Sequence, residues 1–260
     1  MERFSIVIPQ YNLSKMTENL INLLSKNTFN EKEVIIVDNG SSDIISKEYQ
    51  DKVKYIRNDK NNFFAKACNI GSDLVESDII CFLNNDIEVG EEWDKISIEL
   101  LLNYKDCGIV GSKLLYPNGL IQHAGVQVVG TEREGAIFDH RYMRMSHDYF
   151  FANKIREYQS VTGACIFLKK EDFFKVGKFS EEYINGYEDN DLCFKFLHNI
   201  NKKIVYNPFA NITHFHGKTE RNEVNKKDRN NHDLFFNKWG MKLIEDKSKW
   251  DSEDNSFRGQ

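Results

Sequence analysis

The segment Ile79-Ile80-Cys81-Phe82-Leu83-Asn84-Asn85-Asp86 decides how the rest of the sequence is interpreted. Five apolar residues follow one another without alternation, and three polar residues come directly after them. Such a run predicts a strand buried in a parallel sheet, although a buried helix segment would show the same pattern. In open α/β sheets, ligands bind beyond the carboxyl ends of the strands. The run therefore predicts a ligand-binding edge at Asn84, Asn85 and Asp86.

Residues 1–107 alternate between strand-like and helix-like segments, which predicts the nucleotide-binding half of an α/β domain. The first strand, a helix capped by Ser14 and the second strand should form a parallel, right-handed unit. Pro9 should close the first strand. The predicted strands are 4–8, 33–37, 53–56 and 79–83, and the predicted helices begin at 14, 63 and 91.

Residues 108–217 have a different character, with short strands and turns, and we assign them to a second half of the same domain. Residues 131–158 show no clear period and predict a long loop that holds the acceptor or covers the site, unless it is simply a solvated loop. A helix is predicted at 188–200, with strands at 161–168, 203–206 and 211–214.

Residues 218–260 predict a C-terminal helical tail that packs on the body to about residue 245 and frays over 247–260. Trp239, with Lys226, Lys227 and Arg229, forms either a contact with a membrane surface or partner, or a solvated helix face.

Composition restricts the class of protein. The 260 residues include 35 basic and 40 acidic side chains, a formal net charge of -5, so nothing favours nucleic acid as a partner. The five scattered cysteines predict reduced, buried thiols. Neither a signal peptide nor an apolar run of about 18 residues is visible. We expect a cytoplasmic protein, with peripheral contact at the inner face of the membrane as a further option.

Three polar clusters follow predicted apolar elements: Asn84-Asn85-Asp86, Glu188-Asp189-Asn190-Asp191 and His214-Phe215-His216-Gly217. Each has an ordinary structural explanation, namely a turn, acidic residues at a helix start, or a hydrogen-bonding histidine. Together they provide a carboxylate and an imidazole for a divalent metal, and an acidic pair for proton transfer. Displacement of a diphosphate leaving group needs such a set.

Other motifs narrow the choice. Asp38 follows the second strand and could bind the edge of a base or ribose. The sequence has no GxGxxG after the first strand, no GxxxxGK[ST] and no GxSxG. These absences argue against a dinucleotide dehydrogenase, a P-loop NTPase and a hydrolase with a nucleophile elbow.

The motifs resemble those of family 2 glycosyltransferases of the GT-A fold, in the branch that builds bacterial polysaccharides with rhamnosyl- and hexosyltransferases. The matching segments are Ile8–Asn12, Val37–Asp43, Asn69–Gly71, Phe82–Asp86, Thr162–Ala164, Glu188–Cys193 and His214–Gly217, in that order. The resemblance covers residues 4–217, and it implies that 1–107 are the nucleotide-sugar-binding half and 108–217 the acceptor-binding and catalytic half. It implies a Rossmann-like domain with a mixed, mainly parallel central sheet flanked by helices.

The resemblance also implies roles for individual residues. Asp189 would be the general base, and Glu188 would orient it or contact the acceptor. Asp86 and His214 would hold Mn²⁺ or Mg²⁺, with His216 a weaker candidate. Asn84 stands where the family has an aspartate, which removes one charge from the metal motif. The residues implied in donor binding are Pro9, Tyr11, Asp38, Asn69, Asn84, Asn85 and Asp86.

The reaction implied is inverting transfer of a sugar from a nucleoside diphosphate, with UDP-hexose favoured over dTDP-rhamnose, to a hydroxyl of a growing or lipid-linked cell-surface glycan. The alternatives are a sugar nucleotidyltransferase and a non-catalytic carbohydrate-binding protein. A nucleotidyltransferase usually has a glycine-rich, basic loop after its first strand, where this chain has Pro9-Gln10-Tyr11-Asn12.

Overall fold

The computed structural model describes residues 1–130, 137–215 and 224–258, except for the side chains of 224–229 and 256–258. The strands are β1 Arg3–Gln10, β2 Glu31–Asp38, β3 Lys54–Arg57, β4 Ile79–Leu83, β5 Ile87–Val89, β6 Cys107–Ser112, β7 Leu114–Leu115, β8 Ile121–His123, β9 Val126–Val129, β10 Ile137–His140, β11 Arg156–Tyr158, β12 Cys165–Lys169, β13 Lys203–Asn207 and β14 Ile212–His214. The helices are α1 Ser14–Asn27, α2 Lys47–Gln50, α3 Phe63–Ser72, α4 Lys95–Asn103, α5 Lys170–Lys175, α6 Glu188–Asn199, α7 Val224–Trp239 and α8 Lys247–Arg258.

An eight-stranded mixed sheet forms the centre of the molecule, in the order β11-β13-β6-β12-β4-β1-β2-β3. Strands β1 to β4 pair in parallel, as do β6 and β13, whereas β12 runs antiparallel to both of its neighbours. All five residues of β4 are buried in this sheet. The interpretation of this run as a buried strand is therefore confirmed, and so is the mainly parallel sheet flanked by helices.

Burial of both sheet faces explains why the central strands are apolar without alternation. Successive side chains of a strand point to opposite faces. Ile6 and Ile8 pack with Leu20 of α1 on one face, while Val7 packs with Cys68 of α3 on the other. Each face therefore needs an apolar side chain at every second position.

A smaller sheet, in the order β5-β14-β7-β8, lies next to the carboxyl end of β4. Strand β14 pairs antiparallel with β5, and His214 stands opposite Ile87. The backbone N–H of Phe215 donates to the carbonyl oxygen of Asp86 at 2.9 Å. These bonds bring His214 to the residue that follows the central strand.

Two predictions at the start of the chain are wrong. Strand β1 does not stop at Pro9 but continues to Gln10, with Pro9 opposite Val37; Pro9 is tolerated because it lies near the end of the strand. Ser14 is the first residue of α1 rather than its cap, because its hydroxyl donates to Asp43 at 2.6 Å.

The long irregular loop predicted at 131–158 is also wrong for the residues described. Strand β10 pairs with β9, Phe150–Ala152 form a 3-10 turn, and β11 is the edge strand of the main sheet beside β13. Each strand is only three or four residues long, too short for its periodicity to stand out in the sequence. Residues 131–136 lie outside the described part.

The C-terminal tail is more ordered than its composition predicts. Trp239 is buried, and its indole N–H donates to Asp191 at 2.8 Å, so Trp239 contacts neither a membrane nor solvent. Where fraying was predicted, α8 is a helix, and Trp250 packs against Tyr158 with 4.9 Å between ring centroids. The side chains of Lys226, Lys227 and Arg229 lie outside the described part.

Helix α8 is held by a buried carboxylate. Asp254 accepts a hydrogen bond from Arg141 at 2.7 Å and one from Arg156 at 2.6 Å, and Tyr142 donates a third. Burial raises the pKa of Asp254, but these three donors lower it more, so the net shift is downward. Asp254 of this tail is therefore the partner of two buried arginines, and composition alone could not predict that pairing.

The cysteines are free thiols, and all five are buried: Cys68, Cys81, Cys107, Cys165 and Cys193. The prediction of reduced, buried thiols is confirmed. Within 1–130, 137–215 and 224–258, no helix combines the length and apolar character that crossing a bilayer requires.

We expect Asp254→Asn to lower the free energy of unfolding by about 3 kcal/mol, because buried Arg156 loses its carboxylate partner and buried Arg141 keeps only the partly exposed Asp251. The matched control is Asp251→Asn. Asp251 lies on the same helix and bonds the same Arg141, but its side chain is 44% exposed, so its loss should cost less than about 1 kcal/mol. Urea unfolding measures both, and equal losses would contradict this account of α8.

Candidate active site

A cleft of about 430 Å³ opens at the carboxyl ends of β1, β2 and β4. Most of the residues predicted for the site line it, although they come from four separate parts of the chain. They are Pro9, Tyr11, Asn84, Asn85, Asp86, Glu188, Asp189 and His214. Asp38 and Asn69 are not among them.

Asp86 and His214 form one side of the cleft. The Oδ1 atom of Asp86 lies 3.1 Å from Nε2 of His214. On the other side of the imidazole, Nδ1 lies 2.6 Å from Oε1 of Gln122, whose own amide N–H donates to the His214 carbonyl. Gln122 therefore holds the imidazole from its Nδ1 side, which directs Nε2 toward Asp86. Gln122 was missed because nothing in the sequence connects it to His214.

Asn84 lies beside this pair and adds an amide group to it. Its side-chain Oδ1 is buried and has no hydrogen-bond partner in the part of the chain described, and its Nδ2 lies 3.4 Å from Nε2 of His214. A carboxylate, an imidazole and an amide oxygen are ligands that Mn²⁺ and Mg²⁺ accept. No group of three or more His, Cys, Asp or Glu able to hold a metal occurs among the described residues, and His216 lies outside them.

Glu188 and Asp189 begin α6 and also line the cleft. The turn before the helix is tight, with positive φ at Asn185, Gly186 and Tyr187. Asp189 is half-buried and accepts the backbone N–H of Gly163 at 2.9 Å. A Cβ at position 163 would stand 3.2 Å from the Cβ of Asp189, so glycine permits this close approach.

The two carboxylates have different environments. Glu188 is buried, and this burial together with the charge of Asp189 raises its pKa to about 7. The backbone N–H of Gly186 donates to it. Adjacent acidic groups in unlike surroundings can divide the roles of proton acceptor and neutral donor.

Asp38 does not reach the cleft, contrary to its predicted role. It is fully buried, and its carboxylate accepts hydrogen bonds from the Ser41 N–H and the Tyr55 hydroxyl, and pairs with Arg57. The neighbouring residue Asn39 lines the cleft instead.

Asn69 also has a structural role in place of the predicted one. Its amide bonds both the N–H and the carbonyl of Phe179, and donates to Glu181. It thereby joins α3 to the segment before α6, and its side chain does not line the cleft.

Several cleft residues were not predicted. Phe63 and Phe64, at the start of α3, place two aromatic side chains in its lining. Gln10 also lines it and is fully buried, with no partner for its side-chain amide in the described residues. A polar residue ending a buried strand is the signal that could have identified Gln10.

The family model described as "Glycosyl transferase family 2" matches residues 5–172. The chain belongs to glycosyltransferase family 2. This agrees with the order of the motifs and with the positions of their residues around one cleft.

Curated relatives include proteins of polysaccharide biosynthesis. The amylovoran biosynthesis glycosyltransferase AmsB of Erwinia amylovora is 28% identical over 90% of this chain and 76% of its own length. The O-antigen biosynthesis protein RfbC of Myxococcus xanthus is 27% identical over 70% of this chain. An uncharacterised protein of Sinorhizobium fredii is 30% identical over 81% of this chain. The chain spans only 15% of the length of RfbC and 24% of the length of the Sinorhizobium protein.

The fold is that of GT-A glycosyltransferases. A crystal structure of GalNAc-T7 with UDP, GalNAc and Mn²⁺ superposes with a TM-score of 0.66, at 15% identity, over 82% of this chain and 44% of the other. At this identity the likeness concerns the fold.

Glu188→Gln should change how stability depends on pH. The raised pKa means that ionising Glu188 costs free energy in the folded state. This cost in stability is absent below pH 4.5, the ordinary pKa of the group, increases between pH 4.5 and about pH 7, and is constant at higher pH. Glutamine cannot ionise, so the variant should gain stability over the parent from about pH 5 to about pH 8. Urea unfolding across this range is the measurement. The exposed Glu182, changed to glutamine, should show no such gain, and a difference that is constant with pH would refute the assignment.

Proposed function

We propose that the chain is an inverting, metal-dependent hexosyltransferase that moves a sugar from a nucleoside diphosphate to a hydroxyl of a growing cell-surface glycan. The observation that carries the proposal is that Asp86, His214 and Asp189 line one cleft. Asp86 and His214 suit a diphosphate with its cation, and Asp189 suits an acceptor hydroxyl.

The favoured donor is a UDP-hexose, with dTDP-rhamnose second. Support comes from the GT-A neighbour GalNAc-T7, whose crystal structure contains UDP, GalNAc and Mn²⁺. Pro9 and Tyr11 would contact the nucleoside at the end of β1, and Asn84 and Asn85 would lie beneath the diphosphate and sugar. Residues 1–107 would thus bind the donor, and 108–217 the acceptor and its activating base.

Asp189 would act as general base. As the acceptor oxygen attacks the anomeric carbon, the Asp189 carboxylate takes the hydroxyl proton. The new C–O bond forms on the face opposite the breaking bond to the diphosphate, which inverts the anomeric configuration. The Gly163 N–H fixes one carboxylate oxygen, so the base is oriented before the acceptor arrives. Glu188 would orient Asp189 or bind the acceptor.

Asp86 and His214, with the amide oxygen of Asn84, would hold Mn²⁺ or Mg²⁺. A divalent cation supplies charge neutralisation for a departing diphosphate, which is worth several kcal/mol. Gln122 would fix the orientation of the His214 imidazole through Nδ1, which leaves Nε2 available as a metal ligand.

The acceptor would be a polysaccharide, capsule or lipopolysaccharide chain, free or lipid-linked. The relatives named for amylovoran and O-antigen biosynthesis support this class. A cytoplasmic enzyme that meets lipid-linked acceptors at the inner membrane face would match such a substrate. The direct test is release of nucleoside diphosphate from a panel of nucleotide sugars with Mn²⁺, with and without glycan acceptors. Absence of release from every donor would refute the proposal.

Asp189→Asn should reduce sugar transfer by about 10²–10⁴-fold, the usual contribution of a positioned base. Asparagine still accepts the Gly163 N–H, so UDP affinity measured by calorimetry should remain within about twofold of the parent. Glu182→Gln removes an exposed carboxylate from the segment before α6 and serves as the control. Transfer by Asp189→Asn near the parent rate would show that another group takes the proton.

Asp86→Ala and His214→Ala should each abolish saturable Mn²⁺ binding in the presence of UDP, because each removes a proposed ligand. Gln122→Leu should weaken Mn²⁺ binding by about 10–100-fold although Gln122 touches no metal, because the imidazole loses its orienting partner. Calorimetric Mn²⁺ titrations compare the three variants. Unchanged affinity in Asp86→Ala would remove the metal from the proposal.

A further inference from the structure

Phe63 has a backbone conformation that its side chain disfavours. Its φ is 64°, in the left-handed region where a Cβ crowds the backbone and glycine is normally found. Phe63 is nevertheless one of the bulkiest residues in the lining of the cleft. Strained residues of this kind persist where the surroundings enforce them, and they concentrate at functional sites.

The strained conformation is enforced by two asparagine side chains. Oδ1 of Asn61 accepts the Phe63 N–H at 2.8 Å, and Nδ2 of Asn39 donates to the Phe63 carbonyl at 3.1 Å. Asn39 also donates to Asn61 and accepts the Asn62 N–H. Asn39 itself is buried at the end of β2. Both backbone groups of Phe63 are therefore fixed by a network anchored in the central sheet.

The network holds an aromatic ring in the lining of the cleft. Phe63 begins α3 and lines the cleft together with Pro9 in β1 and Tyr11 just after it. The Phe64 ring, by contrast, comes within 4 Å of the same point beside Gly163 as Asp189 does. Phe63 is half-buried and shares the cleft with the two residues proposed to contact the nucleoside, the part of a nucleotide sugar that carries a flat aromatic surface.

We propose that Phe63 is a stacking surface for the nucleobase of the donor. The inference rests on the proposed function, and it assigns to the base a residue that neither the motifs nor the metal side identify. Stacking on an aromatic side chain accepts any base, since every base has a π-face. Phe63 therefore contributes to affinity for nucleosides as a class, and the strain at φ 64° is maintained for binding rather than for folding.

Two substitutions separate the ring from the strain. Phe63→Ala removes the ring and keeps a Cβ in the left-handed region, whereas Phe63→Gly removes both. Affinity for UDP, dTDP, CDP or GDP with Mn²⁺, measured by calorimetry, should fall by about tenfold or more in both variants. Affinity for inorganic pyrophosphate with Mn²⁺ should stay within about twofold, because pyrophosphate has no base.

Thermal unfolding without ligand provides the second readout. Phe63→Gly should unfold about 2–4 °C above Phe63→Ala, because glycine adopts the left-handed conformation freely. Asp106→Gly is the control: Asp106 has φ 59° and is exposed, outside the cleft lining, so this change should leave nucleotide affinity unaltered.

The outcomes distinguish this inference from the proposed function. Nucleotide affinity that survives in both Phe63 variants, with a parent chain that binds nucleotides, would overturn the stacking role alone. An equal loss of pyrophosphate affinity would also overturn it, since the ring would then support the diphosphate side. A parent chain that binds none of the four nucleotides would overturn the proposed function and the stacking role together.

Discussion

The pairing of β14 with β5 is the constraint on which the candidate active site depends. Asp86 and His214 are 128 positions apart, and the backbone bonds between these short strands bring them together. A slip of one residue in this pairing would turn every side chain of β14 to the other face of the sheet. The N–H of Phe215 bound to the Asp86 carbonyl fixes the register at the critical point. The cation side of the cleft is thus a product of backbone geometry, which the side chains of Gln122 and Asn84 then refine.

The positions of Glu188 and Asp189 depend on a different feature, the start of α6. Helix N-termini favour negative charge, and α6 begins with Glu188, Asp189 and, two residues later, Asp191. Their neighbours give them separate tasks. Asp191 is fully buried and holds Lys195, Lys238 and Trp239, so it joins α7 to the body. Asp189 instead faces the cleft beside Gly163. One turn of helix therefore anchors the tail and orients the proposed base.

The sequence predicts the central sheet well because its signal is local. An unbroken apolar run such as Ile79–Leu83 places apolar side chains on both faces of the sheet, as a buried strand requires. The polar residues at its end are expected because ligand sites lie beyond the carboxyl ends of such strands. The three distant motifs could be joined because their order resembles that of a known family. The placement of Asp86, Asp189 and His214 in one cleft agrees with that interpretation, and their chemical roles remain predictions.

What the sequence could not predict depends on contacts between distant residues. Helix α8 reads as a charged, fraying end, and its order depends on Asp254 meeting Arg141 and Arg156 from another part of the chain. Asp38 carries no local mark of its pairing with Arg57. In each case a charged residue that looks solvated, or available to a ligand, is paired inside the protein. Pairing of this kind becomes visible only in three dimensions.

The replacement of a carboxylate by Asn84 has a consequence for how donor and cation would bind. With an imidazole and an amide beside it, Asp86 is the single carboxylate that the described residues place at this position. A divalent cation bound there keeps an excess of positive charge, and the diphosphate oxygens of a donor are the groups best able to balance it. The site therefore favours joint binding of cation and donor over a cation held tightly in advance. Linkage makes this reciprocal, since each ligand raises the affinity for the other by the same factor. A neutral asparagine is then compatible with metal-dependent transfer, because the charge missing from the protein comes with the substrate.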